Sequence, residues 1–152
     1  MFTFKRSLAV IAIAASLPLS AFADLPGRHP GYLHALTDMR AARWNLEHRP
    51  GDAAVSGQED IAITEVDRAI QEAKTAAAED GKNLAYHPAE DARLDHPGRL
   101  HHALELLRKA KGDVSGEEDN PETRELRHRI VEHLENSIHA TERAIRDVET
   151  GR

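Results

Sequence analysis

The sequence predicts an all-α protein, an up-down-up-down four-helix bundle made of two tandem αα-hairpins. Two observations support this fold. The phrase His-Pro-Gly-x-Leu-His occurs at 29–34 and again at 96–101, each time at the start of an amphipathic segment. Four segments in all repeat apolar residues every three or four positions, the spacing of one face of an α-helix. Two hairpins that each carry an apolar stripe bury it by packing on each other.

The first 23 residues are expected to be a cleaved secretory signal and not part of the fold. Two basic residues precede an apolar run over 8–19, and a small-residue cleavage motif follows at 21–23. The apolar run is too short to span a bilayer. We therefore expect export to a bacterial periplasm and a mature bundle over 24–152, with no membrane contact after cleavage.

Hairpin one is predicted over 29–80. A proline opens its first helix, predicted over 30–48, because the missing proline N–H would have no partner in the first turn. Ser56 and Glu59 have the spacing of a capping box for the second helix, which should run to about residue 79. The predicted apolar stripes are Tyr32, Ala35, Leu36, Met39, Ala42 and Leu46 in the first helix, and Ile63, Val66, Ile70, Ala73 and Ala77 in the second.

Hairpin two is predicted over 96–150, after a linker at 81–95. Its first helix should begin at Pro97 and end at Gly112, and its second should begin after Asn120. The two hairpins align with an offset of 67 residues at first and 68 further on. The predicted stripes are Leu100, Ala103, Leu104, Leu107 and Ala110, then Leu126, Ile130, Leu134, Ile138, Thr141, Ile145 and Val148.

Composition excludes several classes of function. The chain has 20 Lys and Arg against 26 Asp and Glu, a formal net charge of −6, and is therefore a poor match for nucleic acid. It has no cysteine, which excludes disulfides, c-type haem attachment and Cys-ligated zinc. It does have ten histidines, more than expected of a domain of this size.

The repeated phrase predicts a metal site. In an up-down-up-down bundle the first and third helices begin at the same end, so His29, His34, His96 and His101 would lie there together. Imidazoles with nearby carboxylates suit a borderline divalent metal such as Cu, Zn or Ni. Two alternatives stay open: the histidines are ordinary turn and surface residues, or they sense protons.

Other residues of interest have simpler interpretations. Haem bound by Met39 and His139 is disfavoured, because His139 lies about 100° around the helix from the Ile138 stripe and Met39 fits ordinary packing. Trp44 is expected to be half-exposed, a point of contact for a partner. Four repeat-related basic residues should pair with acids on neighbouring helices, namely Arg40, Arg43, Arg108 and Lys111.

The opening HPGYLHALTDMRAARWNLEHRPGD, with HPGRLHHALELLRKAK and EEDNP downstream, resembles an uncharacterised family of exported bacterial helical proteins. This resemblance covers nearly all of the mature chain and implies no particular activity. In architecture and histidine content the chain is also broadly similar to small periplasmic His-rich metal-binding helical proteins, and in size to small four-helix b-type cytochromes.

We therefore expect a non-enzymatic, exported helical bundle that binds a divalent metal at a His-rich end. The alternative is a non-catalytic interaction or stress-protective module of the cell envelope, in contact with another envelope protein. The sequence indicates neither the oligomeric state nor the identity of the metal.

Overall fold

The computed structural model describes residues 30–48, 56–77, 94–117 and 124–151, and they form four α-helices without a strand. The helices are α1 (Pro30–Glu47), α2 (Gly57–Ala77), α3 (His96–Ser115) and α4 (Arg124–Thr150). The predicted all-α four-helix fold is confirmed. Within these four segments, no helix combines the length and the apolar character needed to cross a membrane.

Local hydrogen bonds explain where α2 and α3 begin. The Ser56 N–H donates to the Glu59 carboxylate at 2.7 Å, and the Glu59 N–H donates to Ser56 Oγ at 3.3 Å, which confirms the predicted capping box. At the start of α3, Asp95 accepts a hydrogen bond of 2.8 Å from the Gly98 N–H. The predicted cap of α4 at Asn120 lies outside the described residues.

The predicted end of α3 at Gly112 is wrong, because α3 continues to Ser115. Val114 is completely buried, and this burial stabilises one further turn beyond the glycine. The Gly116 N–H then donates to the Gly112 carbonyl at 3.1 Å and closes that turn.

The four helices form a square in the cyclic order α1–α2–α4–α3. Each helix packs on its two neighbours in this order, while α1 and α4 lie diagonally across from each other, as do α2 and α3. The most extensive contacts are α2 with α4 and α1 with α3, so each helix packs more on the other hairpin than on its own.

Three contacts show that α1 and α3 are antiparallel. At one end the Gly31 N–H donates to the Glu117 carboxylate, so the start of α1 meets the end of α3. In the middle, Lys109 Nζ donates to Asp38 at 2.7 Å. At the other end the Arg99 guanidinium donates to the His48 carbonyl at 3.0 Å.

The helices α2 and α4 are also antiparallel. Gln58, near the start of α2, accepts from Arg143 in the second half of α4, while Glu72 near the end of α2 accepts from Arg129 near the start of α4. Between them, Ser137 Oγ donates to the Ala62 carbonyl at 2.9 Å. The direction of the four helices is therefore up, down, down, up.

This order corrects the predicted up-down-up-down arrangement, which required α1 and α3 to begin at the same end. A short connection forces consecutive helices to be antiparallel neighbours, but the connection between α2 and α3 comprises residues 78–95, and a chain of that length can return along the whole bundle. Its two ends lie at opposite ends of the body. We name the end that contains the start of α3 the His96 end, and the opposite one the Tyr32 end.

The predicted stripes form the core, with two differences, and the predicted stripe residue Ala77 lies outside the described side chains. Every predicted stripe residue of α1 and α3 is buried, whereas Ile63, Leu126 and Val148 are only partly buried. Small side chains of α2 and α4 that the predicted stripes lack are buried as well. These are Ala62, Ala69, Ala76, Ser137, Ala140 and Ala144.

The predicted pairing of the basic residues with acids on neighbouring helices is confirmed for three of the four. Arg43 contacts Asp67 at 2.7 Å, Arg108 contacts Glu142 at 2.8 Å, and Lys111 contacts Glu135 at 2.7 Å. Each pair joins the two helices of one hairpin. For the fourth residue, burial lowers the pKa of Arg40.

Candidate functional site

The predicted metal ligands do not meet. His34 lies in the first turns of α1, at the Tyr32 end, whereas His96 and His101 lie in the first turns of α3, at the other end. A helix of the length of α3 spans about 30 Å, so these residues cannot bind one ion. The prediction that they share an end is wrong because α1 and α3 are antiparallel. His29 lies outside the described residues.

The histidines contact glutamates instead. In the four described segments, no group of three or more His, Cys, Asp or Glu side chains is arranged to hold a metal ion. Of the eight histidines there, five lie between 2.7 and 3.9 Å from a glutamate carboxylate. These pairs are His96–Glu59, His101–Glu149, His102–Glu105, His133–Glu65 and His139–Glu142.

The most buried pair is His96–Glu59. Glu59 is 0% exposed, and its carboxylate accepts from the Ser56 N–H through one oxygen and contacts His96 Nε2 at 2.7 Å through the other. A buried carboxylate is costly unless hydrogen bonds satisfy it. The capping box and the imidazole do so together, and they tie the start of α2 to the start of α3 across the diagonal of the bundle.

A second set of contacts at the His96 end joins α1 to α3. The ring of Trp44 stacks on His48, with a distance of 4.3 Å between ring centroids, and the guanidinium of Arg99 lies 5.1 Å from the Trp44 ring. Arg99 is buried and also donates to the Leu94 and His48 carbonyls. Trp44 is partly exposed, as predicted.

The pair His133–Glu65 joins the middle of α4 to the middle of α2. His133 Nδ1 lies 2.8 Å from Glu65 Oε2, and the side chains are 22% and 12% exposed. The other carboxylate oxygen of Glu65 accepts from Arg68 at 2.7 Å. Because solvent is largely excluded here, a charge on His133 is screened less than one on the surface.

The other three pairs are more exposed. His101 contacts Glu149 at 3.6 Å between α3 and α4, while His102–Glu105 and His139–Glu142 each lie within one helix. Burial raises the pKa of Glu142, but hydrogen bonds from Arg108 and His139 outweigh it, so the pKa is lowered overall. Exposed pairs of this kind each stabilise a protein by less than about 1 kcal/mol.

A contrasting group lies on α3 towards the Tyr32 end. Burial raises the pKa of Asp113, and the nearby Asp38 carboxylate raises it further, whereas Lys109 and His34 lower it. Asp113 Oδ2 is buried and accepts no hydrogen bond from the described residues. The negative charge of Asp113 is therefore unfavourable in the folded state.

The two residues considered for haem do not form a site. Met39 is completely buried in the core, whereas His139 is exposed and contacts Glu142 on its own helix.

Comparison with known proteins adds no family. No protein-family model, no curated protein and no solved structure matches this chain. The resemblance to exported bacterial helical proteins therefore stays a prediction.

Sequence reasoning missed the partners of the histidines, although one signal was available. Glu65 and His133 occupy equivalent positions of the repeat, 68 residues apart. If two equivalent helices pack antiparallel, the equivalent residues near the middle meet each other. The sequence gives no comparable indication that Glu59 contacts His96. That contact depends on the end of the bundle at which α3 begins, and a connection as long as 78–95 permits either end.

Proposed function

We propose that the protein is an exported, non-catalytic stress-protective module of the cell envelope whose histidine–glutamate pairs hold the bundle together as its surroundings acidify. One observation carries this proposal: five of the eight described histidines contact a glutamate carboxylate. Divalent metal binding by the predicted set is not carried forward, since His34 and His96 lie at opposite ends.

The physical basis is the change in charge of imidazole. A neutral imidazole N–H forms an ordinary hydrogen bond with a carboxylate, whereas a protonated ring forms a charge-assisted one about twice as strong. Histidine gains its proton near pH 6.5, and glutamates stay ionised down to about pH 4.3. A histidine that carries a charge beside an ionised glutamate therefore stabilises the folded state more than a neutral histidine does.

The charge of the whole chain supports the same proposal. Its formal net charge is −6 with neutral histidines, so protonation of histidines reduces the repulsion between acidic side chains. An exported protein meets the pH of its surroundings directly. A bundle that tightens on mild acidification would persist under conditions that weaken proteins whose buried histidines must stay neutral.

The test measures thermal unfolding of residues 24–152 at pH 7.5 and pH 5.5. The unchanged protein is expected to be at least as stable at pH 5.5. The variant His133→Gln keeps a donor for Glu65 but cannot become charged. It should therefore cost about 1 kcal/mol at pH 5.5, or about 4 °C in Tm, and clearly less at pH 7.5.

Two further variants test the same pair. Glu65→Gln removes the carboxylate that His133 contacts, so it should remove the same pH-dependent difference in stability. His128→Gln, at an exposed position of α4, should have the pH dependence of the unchanged protein. If His133→Gln and the unchanged protein lose stability in parallel between pH 7.5 and pH 5.5, the proposal is wrong.

A further inference from the structure

The two hairpins of this bundle are related by an approximate two-fold axis perpendicular to the helices. Hairpin one is α1 with α2, and hairpin two is α3 with α4. The equivalent helices α1 and α3 are antiparallel neighbours, and so are α2 and α4. A two-fold axis between the hairpins produces this arrangement, whereas a translation of one hairpin along the chain does not.

The side chains repeat with the same symmetry. The ion pair Arg43–Asp67 joins the helices of hairpin one, and Lys111–Glu135 joins those of hairpin two, both at 2.7 Å. Each residue of the second pair lies 68 positions after its counterpart in the first. The internal geometry of one hairpin is therefore reproduced in the other.

A contact between Glu65 and His133 marks the position of the axis. These two residues are equivalent in the repeat, and they contact each other at 2.8 Å. In a two-fold arrangement, only residues close to the axis meet their own equivalents. The same relation defines the interface of a symmetric dimer, in which one surface recognises a copy of itself.

The interface between the hairpins is also the largest in the molecule. Packing of α2 on α4 and of α1 on α3 exceeds the packing within either hairpin. Hydrogen bonds reinforce it along its whole length, from Gln58–Arg143 through Asp38–Lys109 to Glu72–Arg129. A hairpin without its partner would expose this entire surface to water, at a large cost in free energy.

We infer that this interface is a self-association surface and that its partner is a second copy of this chain. Hairpin two of one copy packs on hairpin one of another, and the reciprocal exchange closes a two-fold dimer that contains two bundles. The exchange requires no new contact, because each bundle keeps every contact between hairpins that the monomer has.

The length of the connection sets the balance between the two forms. It comprises 18 residues, which reach at most about 60 Å, and it has to return along a bundle of about 30 Å. The monomer can therefore close. A tether of this length holds its own hairpin at an effective concentration in the millimolar range, so exchange competes when the protein folds at similar concentrations.

Disulfide trapping in the full chain tests whether hairpins exchange between copies. The chain has no native cysteine, so only the introduced cysteines can form a disulfide. A Glu65→Cys chain and a His133→Cys chain are unfolded together, refolded at about 0.5 mM and oxidised. Exchange brings the two cysteines into one bundle, so a disulfide-linked heterodimer is expected at several times the yield of the control. The control uses Gln71→Cys with Asn136→Cys, both at exposed positions of α2 and α4.

A shortened connection tests the same inference without cysteine. Deletion of 82–93 leaves six residues between α2 and α3, which reach about 20 Å and cannot return along the bundle. Light scattering after gel filtration should then give a helical dimer in place of the monomer. A folded monomer, an unfolded chain, or a heterodimer yield equal to the control would overturn the inference.

Discussion

Glu59 serves two helices with one carboxylate. Its carboxylate accepts a hydrogen bond from the Ser56 N–H, which caps α2, and it also contacts His96, the first residue of α3. The Glu59 side chain is completely buried. The sequence predicted the cap, because a capping box is a local pattern. It did not predict the contact with His96, which exists only because the connection brings α3 to the start of α2.

Asp113 gives a prediction about pH. Burial and the Asp38 carboxylate raise the pKa of Asp113, so its negative charge destabilises the folded state above that raised pKa. The penalty disappears as the pH falls and the carboxyl group binds a proton. Asp113→Asn should therefore raise the free energy of unfolding at pH 7 by up to about 1 kcal/mol, and the thermal midpoint should rise with it.

The difference should shrink towards pH 4, because the raised pKa leaves Asp113 mainly protonated in the folded protein there, and it is then neutral like asparagine. A matched variant is Glu132→Gln at an exposed position of α4, which should change stability by less than about 0.5 kcal/mol at pH 7. A midpoint for Asp113→Asn equal to or below that of the unchanged protein at pH 7 would contradict the prediction.

At the scale of the helices, two glycines give opposite predictions. A Cβ at Gly112 in α3 would meet nothing within 4 Å, so Gly112→Ala should stabilise the protein by up to about 1 kcal/mol through helix propensity. A Cβ at Gly31 in α1 would lie 2.6 Å from the Asp113 carbonyl oxygen, so Gly31→Ala should destabilise it by about 1–3 kcal/mol.

Urea unfolding of the two alanine variants measures both effects against the same unchanged protein. The comparison separates close packing from propensity, since propensity favours alanine in both cases. Equal stabilisation by the two substitutions would show that α1 does not approach α3 as closely as this structure places it.

The helices themselves were largely predictable, for a local reason. Periodicity indicates which face is buried, and the stripes of α1 and α3 are buried as predicted. The end of α3 was not predictable from Gly112, because the burial of Val114 overrides the local preference of glycine. Buried alanines of α2 and α4 were also missed, since each predicted stripe followed only one face of its helix, whereas each helix packs on two neighbours.

At the scale of the whole molecule, the direction of α3 was the part that sequence could not supply. Periodicity is the same whichever way a helix runs, and a connection at 78–95 permits both directions. The predicted metal site depended on that choice. The predicted up-down-up-down arrangement placed His34 and His96 at the same end. The hydrogen bond from the Gly31 N–H to Glu117 excludes that arrangement, because it joins the start of α1 to the end of α3.

The extent of packing between the hairpins predicts a single cooperative unfolding transition. Neither hairpin can open without exposing the largest interface of the molecule. In a denaturant titration, far-UV circular dichroism reports all helices and the fluorescence of Trp44, the only tryptophan of the chain, reports the His96 end. The two midpoints should coincide.

Separate midpoints would mean that the His96 end, or one hairpin, opens before the rest. The matched control is the double variant Trp44→Phe and Leu126→Trp, which moves the fluorescent reporter to the Tyr32 end. Its fluorescence midpoint should again agree with its own circular dichroism.

The parallel diagonal of α1 and α4 has a mechanical consequence. The first turn of α1 and the last turn of α4 lie at opposite ends of the body. A pull applied through these two turns would load the helices lengthwise, in shear, and all contacts along their sides would share the force. The bundle would then resist a high stretching force. A pull on two turns at one end would instead separate the helices one contact at a time, at a lower force.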